Sequence, residues 1–299
     1  MKAMTFKWPK TPQSDVLPRW TGSGFDLGST EVRYLRYTVG SSGWTDDLST
    51  FHEEATGGVH PIDRASRLHT LTQLRRHLRG PNPVILEVGC STGYMIKDMM
   101  GEWPNATMIA ADYVSGPLDA LGKEIPQLPM MQFDLVQCPL PSNSVDAVVL
   151  LNVLEHIEND NGALAQVSRI LKPGGVAILE IPAGPHLYDV YDKLLMHFRR
   201  YKLADLREQI KSAGLNIASS SCLGTLIYPL FRRVKLRNRQ YLDSPPEIQQ
   251  KIVAGAIQKS GRSVMLDLLF RIEGGLRRII PLPVGIRCLA TCIKPGAKS

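Results

Sequence analysis

The sequence predicts an α/β fold in which a mostly parallel sheet carries helices on both faces. Three observations predict it. Short apolar runs rich in β-branched residues recur at 84–88, 106–113, 130–135, 145–151 and 175–182. Stretches with helical spacing lie between most of them, and strands that alternate with helices pair in parallel and are buried on both faces. The first run breaks into a turn with glycine at both ends, Gly89-Cys90-Ser91-Thr92-Gly93, followed by a helical stretch at 94–100. Strand, Gly-rich turn and helix form the unit that holds a nucleotide-like ligand at the C-terminal edge of a parallel sheet.

Residues 1–60 mix turn residues (Gly22, Gly24, Gly28, Gly40, Gly43, Gly57, Gly58) with aromatics such as Trp20, Phe25, Tyr34, Tyr37 and Trp44. That blend predicts an ordered N-terminal extension, either a substrate cap or a packing arm, with a strand or short helix at 31–39. Residues 62–79 read as a helix whose core face is Leu68, Leu71, Leu74 and Leu78, stopped by Pro81 and Pro83. After the five apolar runs, residues 203–213 form a helix that Gly214 caps, and 215–219 begins a sixth strand. Residues 225–280 read as a helical insertion. It opens with the cationic run Phe231-Arg232-Arg233-Val234-Lys235-Leu236-Arg237-Asn238-Arg239. Ser244-Pro245-Pro246-Glu247 reads as a capping box opening a helix that carries Ile248, Ile252 and Ala256, and a second helix covers 264–278. Residues 285–293 close the sheet as a seventh strand. The expected architecture is therefore Rossmann-like and seven-stranded, with residues 61–299 as one domain and the insertion before its last strand.

Composition narrows the classes of function. An apolar fraction of 43% supports a sizeable core and excludes global disorder. A net charge of +7 suits an anionic partner without selecting nucleic acid, a phosphorylated substrate or a membrane surface. The five cysteines are scattered and lack a Cys-x-x-Cys pair, which favours a reduced, cytoplasmic protein with no zinc site. Neither a signal-peptide pattern nor an apolar run of membrane-spanning length is expected.

The turn separates two ligand classes. A dinucleotide fingerprint reads Gly-x-Gly-x-x-Gly, whereas this stretch reads Glu87-x-Gly89-x-Ser91-x-Gly93. It resembles the first motif of the class I S-adenosylmethionine-dependent methyltransferases, with Ser91 where the middle glycine is usual. Three further places carry the resemblance: Asp112 ending the second strand, Phe133-Asp134 after the third, and Asn152-Val153-Leu154-Glu155-His156-Ile157 followed by Leu171-Lys172-Pro173-Gly174-Gly175. Together they are similar to the ubiquinone/menaquinone-biosynthesis-like group, over residues 62–220 and the last strand.

The resemblance implies S-adenosyl-L-methionine as cofactor and S-adenosyl-L-homocysteine as product. It implies a cofactor site of Glu87, Gly89, Cys90, Ser91, Gly93, Asp112, Tyr113, Phe133, Asp134, Leu135 and Asn152, with Asp112 on the ribose hydroxyls and Phe133-Asp134 at adenine. His156 and His197 are the candidate bases. Arg199, Arg200 and Tyr201, in a segment similar to a His-x-Arg-Arg-Tyr stretch of relatives, are candidate acceptor-binding residues. No metal is expected, because Asn152 stands where a metal-associated segment of that group has a carboxylate. The expected activity is methyl transfer to a small-molecule or lipid-like acceptor, on O, N or C. The alternatives are a non-catalytic cofactor-binding partner subunit and a nucleic-acid methyltransferase. Leu151-Asn152-Val153-Leu154 argues against base methylation, for which Asn/Asp-Pro-Pro-Tyr is usual. Peripheral membrane contact through 231–241 is a further expectation, and oligomeric state stays open.

Overall fold

In the computed structural model, which describes residues 6–38, 60–260 and 263–296, the chain folds as an α/β layer protein. The strands are β1 (Arg19–Trp20), β2 (Phe25–Asp26), β3 (Glu31–Val32), β4 (Leu35–Arg36), β5 (Val84–Val88), β6 (Thr107–Asp112), β7 (Met130–Gln132), β8 (Val145–Leu151), β9 (Leu171–Pro182), β10 (Asn216–Leu223) and β11 (Arg287–Ile293). The helices are α1 (Pro61–His77), α2 (Tyr94–Glu102), α3 (Ser115–Glu124), α4 (Asp160–Ile170), α5 (Val190–Leu194), α6 (Leu203–Ser212), α7 (Tyr228–Asn238), α8 (Pro246–Ser260) and α9 (Val264–Leu276).

The main sheet runs β10-β11-β9-β8-β5-β6-β7-β4. Strands β4 to β9 pair in parallel, and β11 lies antiparallel between β9 and β10. The seven expected strands are present, and the sheet gains an eighth. β4, from the N-terminal segment, adds to the β7 edge with Leu35 opposite Met131. The other N-terminal strands form a small antiparallel sheet, β1-β2-β3, whose Phe25 and Trp20 pack with Trp8 and Phe6. Gly40, Gly43, Trp44, Gly57 and Gly58 lie outside the described residues.

The central strands are apolar on both faces because helices cover both. One core cluster joins Leu86, Ile109, Val148 and Leu179 to α4 and α6, and a second joins Ile85, Ala110, Val149 and Ile178 to α2 and α3. Gly214, at φ +78°, ends α6 as expected.

Two local readings change. The buried side of α1 is Ile62, Ser66, Thr70, Gln73 and Leu74, while Leu68 is exposed. Leu74 is buried and Leu71 and Leu78 pack against the second core cluster, as the leucine spacing predicts; Leu68 departs, and the buried side takes in Ser66 instead, which meets Arg287 at 3.0 Å. The turn into α8 is held by Gln249, whose Nε2 donates to the carbonyls of Leu242 and Ser244 at 2.9 Å each, in place of the expected Ser244 cap. The Ala256 side chain lies outside the described residues.

Candidate active site

β5 ends in a tight turn that the chain takes with three left-handed residues: Gly89 (φ +73°), Ser91 (φ +47°) and Gly93 (φ +75°). A side chain at Gly89 would place Cβ 2.5 Å from Val153 Cγ2, so backbone conformation and space both require glycine there. Ser91, a non-glycine residue in this region, donates its backbone N–H to Asp112 Oδ2 at 3.1 Å. Asp112 Oδ1 accepts Val114 N–H at 3.2 Å, so the carboxylate that ends β6 joins the two loops. Glu87, at the end of β5, is buried beneath the turn. Burial, reinforced by the neighbouring Asp112 charge, raises its carboxyl well above the usual range.

A cavity of about 810 Å³ opens at the C-terminal edge of the parallel strands. Gly89, Ser91, Asp112, Tyr113, Phe133, Asp134, Leu135 and Asn152 line it, as do both candidate bases, His156 and His197, and Arg200. Topology brings these residues together, since every β–α loop of a parallel sheet emerges at this edge. Asp134 caps the short turn after β7 through Val136 N–H at 2.9 Å. Asn152 (φ +55°) is fixed by its N–H to the Glu180 carbonyl at 2.8 Å. The insertion supplies an apolar wall: Ile227, Phe231 and Val234 of α7 and its approach, Val253 of α8, and Leu266 and Phe270 of α9.

A buried charge cluster stands in this wall. Asp189 and Asp192 frame α5 as a reciprocal capping box. Lys235 Nζ reaches in from α7 to Asp189 Oδ1 at 2.6 Å and Asp192 Oδ2 at 3.2 Å. Arg200 Nε and His197 Nδ1 both meet Asp192 Oδ1 at 2.8 Å. Burial alone would raise the Asp192 carboxyl, but Lys235, the His197 hydrogen bond and Arg200 hold it well below the carboxylate range. Asp189 is shifted the other way, upward, because its burial outweighs Lys235. Burial lowers the His197 pKa against the pull of Asp192, so near pH 7 the imidazole is neutral. An ionised Asp192 accepts from Nδ1–H and thereby leaves Nε2 as the basic nitrogen.

Glu155 lies against the two histidines. Both its oxygens are buried without a hydrogen-bond partner, and burial pushes its pKa up to about 8. The His156 and His197 rings stack edge-to-face at 4.6 Å. One ligand atom from each of Glu155, His156 and His197 falls within 4.8 Å of the others, so these three could hold a metal ion. The sequence reading considered only Asn152 through His156 for a metal; His197 joins from a distant loop.

Four residues of the sequence reading take positions other than those expected. Cys90 packs into the second core cluster and not along the cavity. Tyr201 is buried, with its hydroxyl on Asp160 Oδ2 at 2.8 Å and the Leu154 carbonyl at 3.2 Å. Arg199 pairs with Asp160 at 2.9 Å and with the Glu158 carbonyl at 2.8 Å, also away from the cavity. Lys235, read as part of an outward cationic patch, points inward. Among the described residues, the N-terminal segment 6–38 supplies no cavity wall. Sequence reasoning missed Asp189 and Asp192. The Asp-x-x-Asp spacing at 189–192 was the available signal, since a reciprocal cap needs acids three apart.

The family described as "Methyltransferase domain" matches residues 86–179, from β5 through most of β9. A Mycolicibacterium smegmatis protein named "Probable S-adenosylmethionine-dependent methyltransferase/" is 28% identical over 156 residues, 50% of this chain and 59% of that protein. A malonyl-[acyl-carrier protein] O-methyltransferase of Halalkalibacterium halodurans is 23% identical over 203 residues, 64% of this chain and 73% of that protein. Among solved structures, the [4+2]-cyclase SpnF shares the fold with a TM-score of 0.56 and 16% identity, covering 84% of this chain and 94% of that one.

Proposed function

Because this chain belongs to the class I S-adenosylmethionine-dependent methyltransferases, we propose that it transfers a methyl group to a small, largely apolar or lipid-like acceptor held against the insertion. The observation that carries this reading is that one cavity is walled both by Gly89, Ser91 and Asp112 and by His197, which Asp192 holds from behind.

The residues present fit the cofactor. Asp112 lines the cavity, and a carboxylate accepts several hydrogen bonds, which suits a ribose diol. Phe133 and Leu135 supply apolar surface for the adenine, and the glycine at 89 leaves room for close approach. When bound, S-adenosylmethionine supplies a methyl group on a sulfonium that needs no further activation.

The chain's own residues then have three tasks. The apolar residues of α7 to α9 orient the acceptor and exclude water. His197 Nε2 accepts the proton of an acceptor hydroxyl or amine. Asp192 holds Nδ1–H and stabilises the imidazolium that forms. Arg200 and Lys235 keep Asp192 ionised throughout. The apolar wall supports a lipid-like acceptor and a peripheral membrane location over a nucleic acid.

Calorimetric titration with S-adenosylhomocysteine tests the first half of the reading. Asp112→Ala is expected to weaken binding by roughly a hundred-fold, the loss of two hydrogen bonds to a charged group, with NAD giving no heat. Incubation with methyl-deuterated cofactor and a lipid extract tests the second half by mass shift. Tight product binding with no methylated species in lipid or aqueous extracts would favour a silent cofactor-binding subunit.

A further inference from the structure

The insertion holds the protein's whole charge imbalance. Residues 225–284 carry eleven Lys/Arg against four Asp/Glu, whereas the rest of the chain is balanced at twenty-four of each. The side chains of Arg232, Arg233, Arg237, Arg271 and Arg278 are exposed.

The same segment exposes an apolar stripe. One side of α9 is committed inward, where Leu266 and Phe270 line the cavity and Glu273 is buried. The opposite side, Val264, Met265, Leu268, Ile272 and Leu276, follows the helical repeat and faces solvent, with Val264 at 82% exposure. The chain beyond continues the surface with Ile279, itself 81% exposed. A helix with one apolar side turned into the cavity and a second turned to solvent leaves the second without a cover, and a contiguous exposed apolar patch marks an interaction surface.

We propose that this face docks on an anionic lipid bilayer, with α9 lying in the interfacial plane. Both features select that occupant. A second copy of the chain would set one strongly basic face against another, which like-charge repulsion opposes. A nucleic acid would use the arginines but leave the isoleucines in water. An anionic bilayer receives both, the apolar stripe among acyl chains and the arginines at the headgroups. Leu230 joins the surface to the cavity, because it lines the cavity and is also 69% exposed. Acceptor entry from the bilayer past Leu230 rests on the methyl-transfer reading; the docking itself does not.

Vesicle flotation tests the proposal with the full chain. Phosphatidylcholine vesicles containing phosphatidylglycerol are expected to recruit the protein at least roughly ten-fold better than phosphatidylcholine alone. Recruitment should fall at about 1 M salt, where the Debye length shrinks to about 3 Å. The pair Leu268→Glu/Ile272→Glu replaces exposed side chains and should abolish flotation; Arg232→Glu/Arg233→Glu should weaken it. S-adenosylhomocysteine titration of each variant should match the wild type, which shows that the fold and the cofactor site are intact whatever the flotation result. Three outcomes overturn the proposal: no flotation on anionic vesicles at low salt, equal flotation on neutral and anionic vesicles, or a light-scattering dimer that Leu268→Glu/Ile272→Glu converts to monomer.

Discussion

His197 Nδ1 lies 2.8 Å from Asp192 Oδ1, and the carboxylate that receives it is also met by Arg200 and sits beside Lys235. Three residues from two separate segments thus set the tautomer and charge of one imidazole at a cavity wall. His197→Ala should lower kcat about a hundred- to ten-thousand-fold, the usual contribution of a positioned base, while product affinity stays near wild type. Asp192→Asn should lower kcat as well and also leave Lys235 and Arg200 short of countercharge, so it should lose more stability than His197→Ala. Rapid-quench kinetics beside thermal melting separates the two effects.

Gly89 answers to two constraints at once. Gly89→Ala should destabilise by about 1–3 kcal/mol through the left-handed backbone and the Val153 contact together. Adding Val153→Ala removes the contact and leaves the backbone cost. A double-mutant cycle read by urea denaturation should therefore show partial rescue. Full additivity would mean that Val153 already yields.

Tyr201 can be tested for a structural role. Its hydroxyl bridges Asp160 and the Leu154 carbonyl, so Tyr201→Phe should cost about 1–3 kcal/mol of stability. The acceptor KM should be unchanged. A KM that rises without loss of stability would return Tyr201 to the acceptor site.

His69 gives a pH signature. Burial, with Arg277 and Arg76 nearby, lowers its pKa from 6.5 to about 3. The folded state therefore binds fewer protons than the unfolded chain between those values. Stability is full above pH 6.5 and falls as pH drops toward 3. His69→Gln should flatten that part of the melting-temperature profile, measured against wild type across the acid range.

Sequence patterns made much of this molecule legible, and the reason is local. Apolar runs, Gly-rich turns and stop signals act within about ten residues, so β5, β8, α6 and the turn at 89–93 could be read directly. Asp112 was legible too, because in a βαβ unit the end of the next strand must lie beside the first turn. The segment 31–39 was read as a strand or a short helix, but the place of β4 beside β7 was not legible, since two residues carry no periodicity and the pairing depends on an open edge at β7.

The sequence alone therefore determined the fold class, the order of the main-sheet strands from β5 to β11, and the Gly-rich turn with its acidic partner. Tertiary structure decided which way the charged side chains face. Arg199, Arg200 and Tyr201 are adjacent in the chain, yet only Arg200 reaches the cavity. Lys235 stands in a run of arginines but turns inward, because two buried carboxylates 43 and 46 positions away are its countercharges. Burying a charge is unfavourable until its partner is in place, and that partner is known only once the chain has folded.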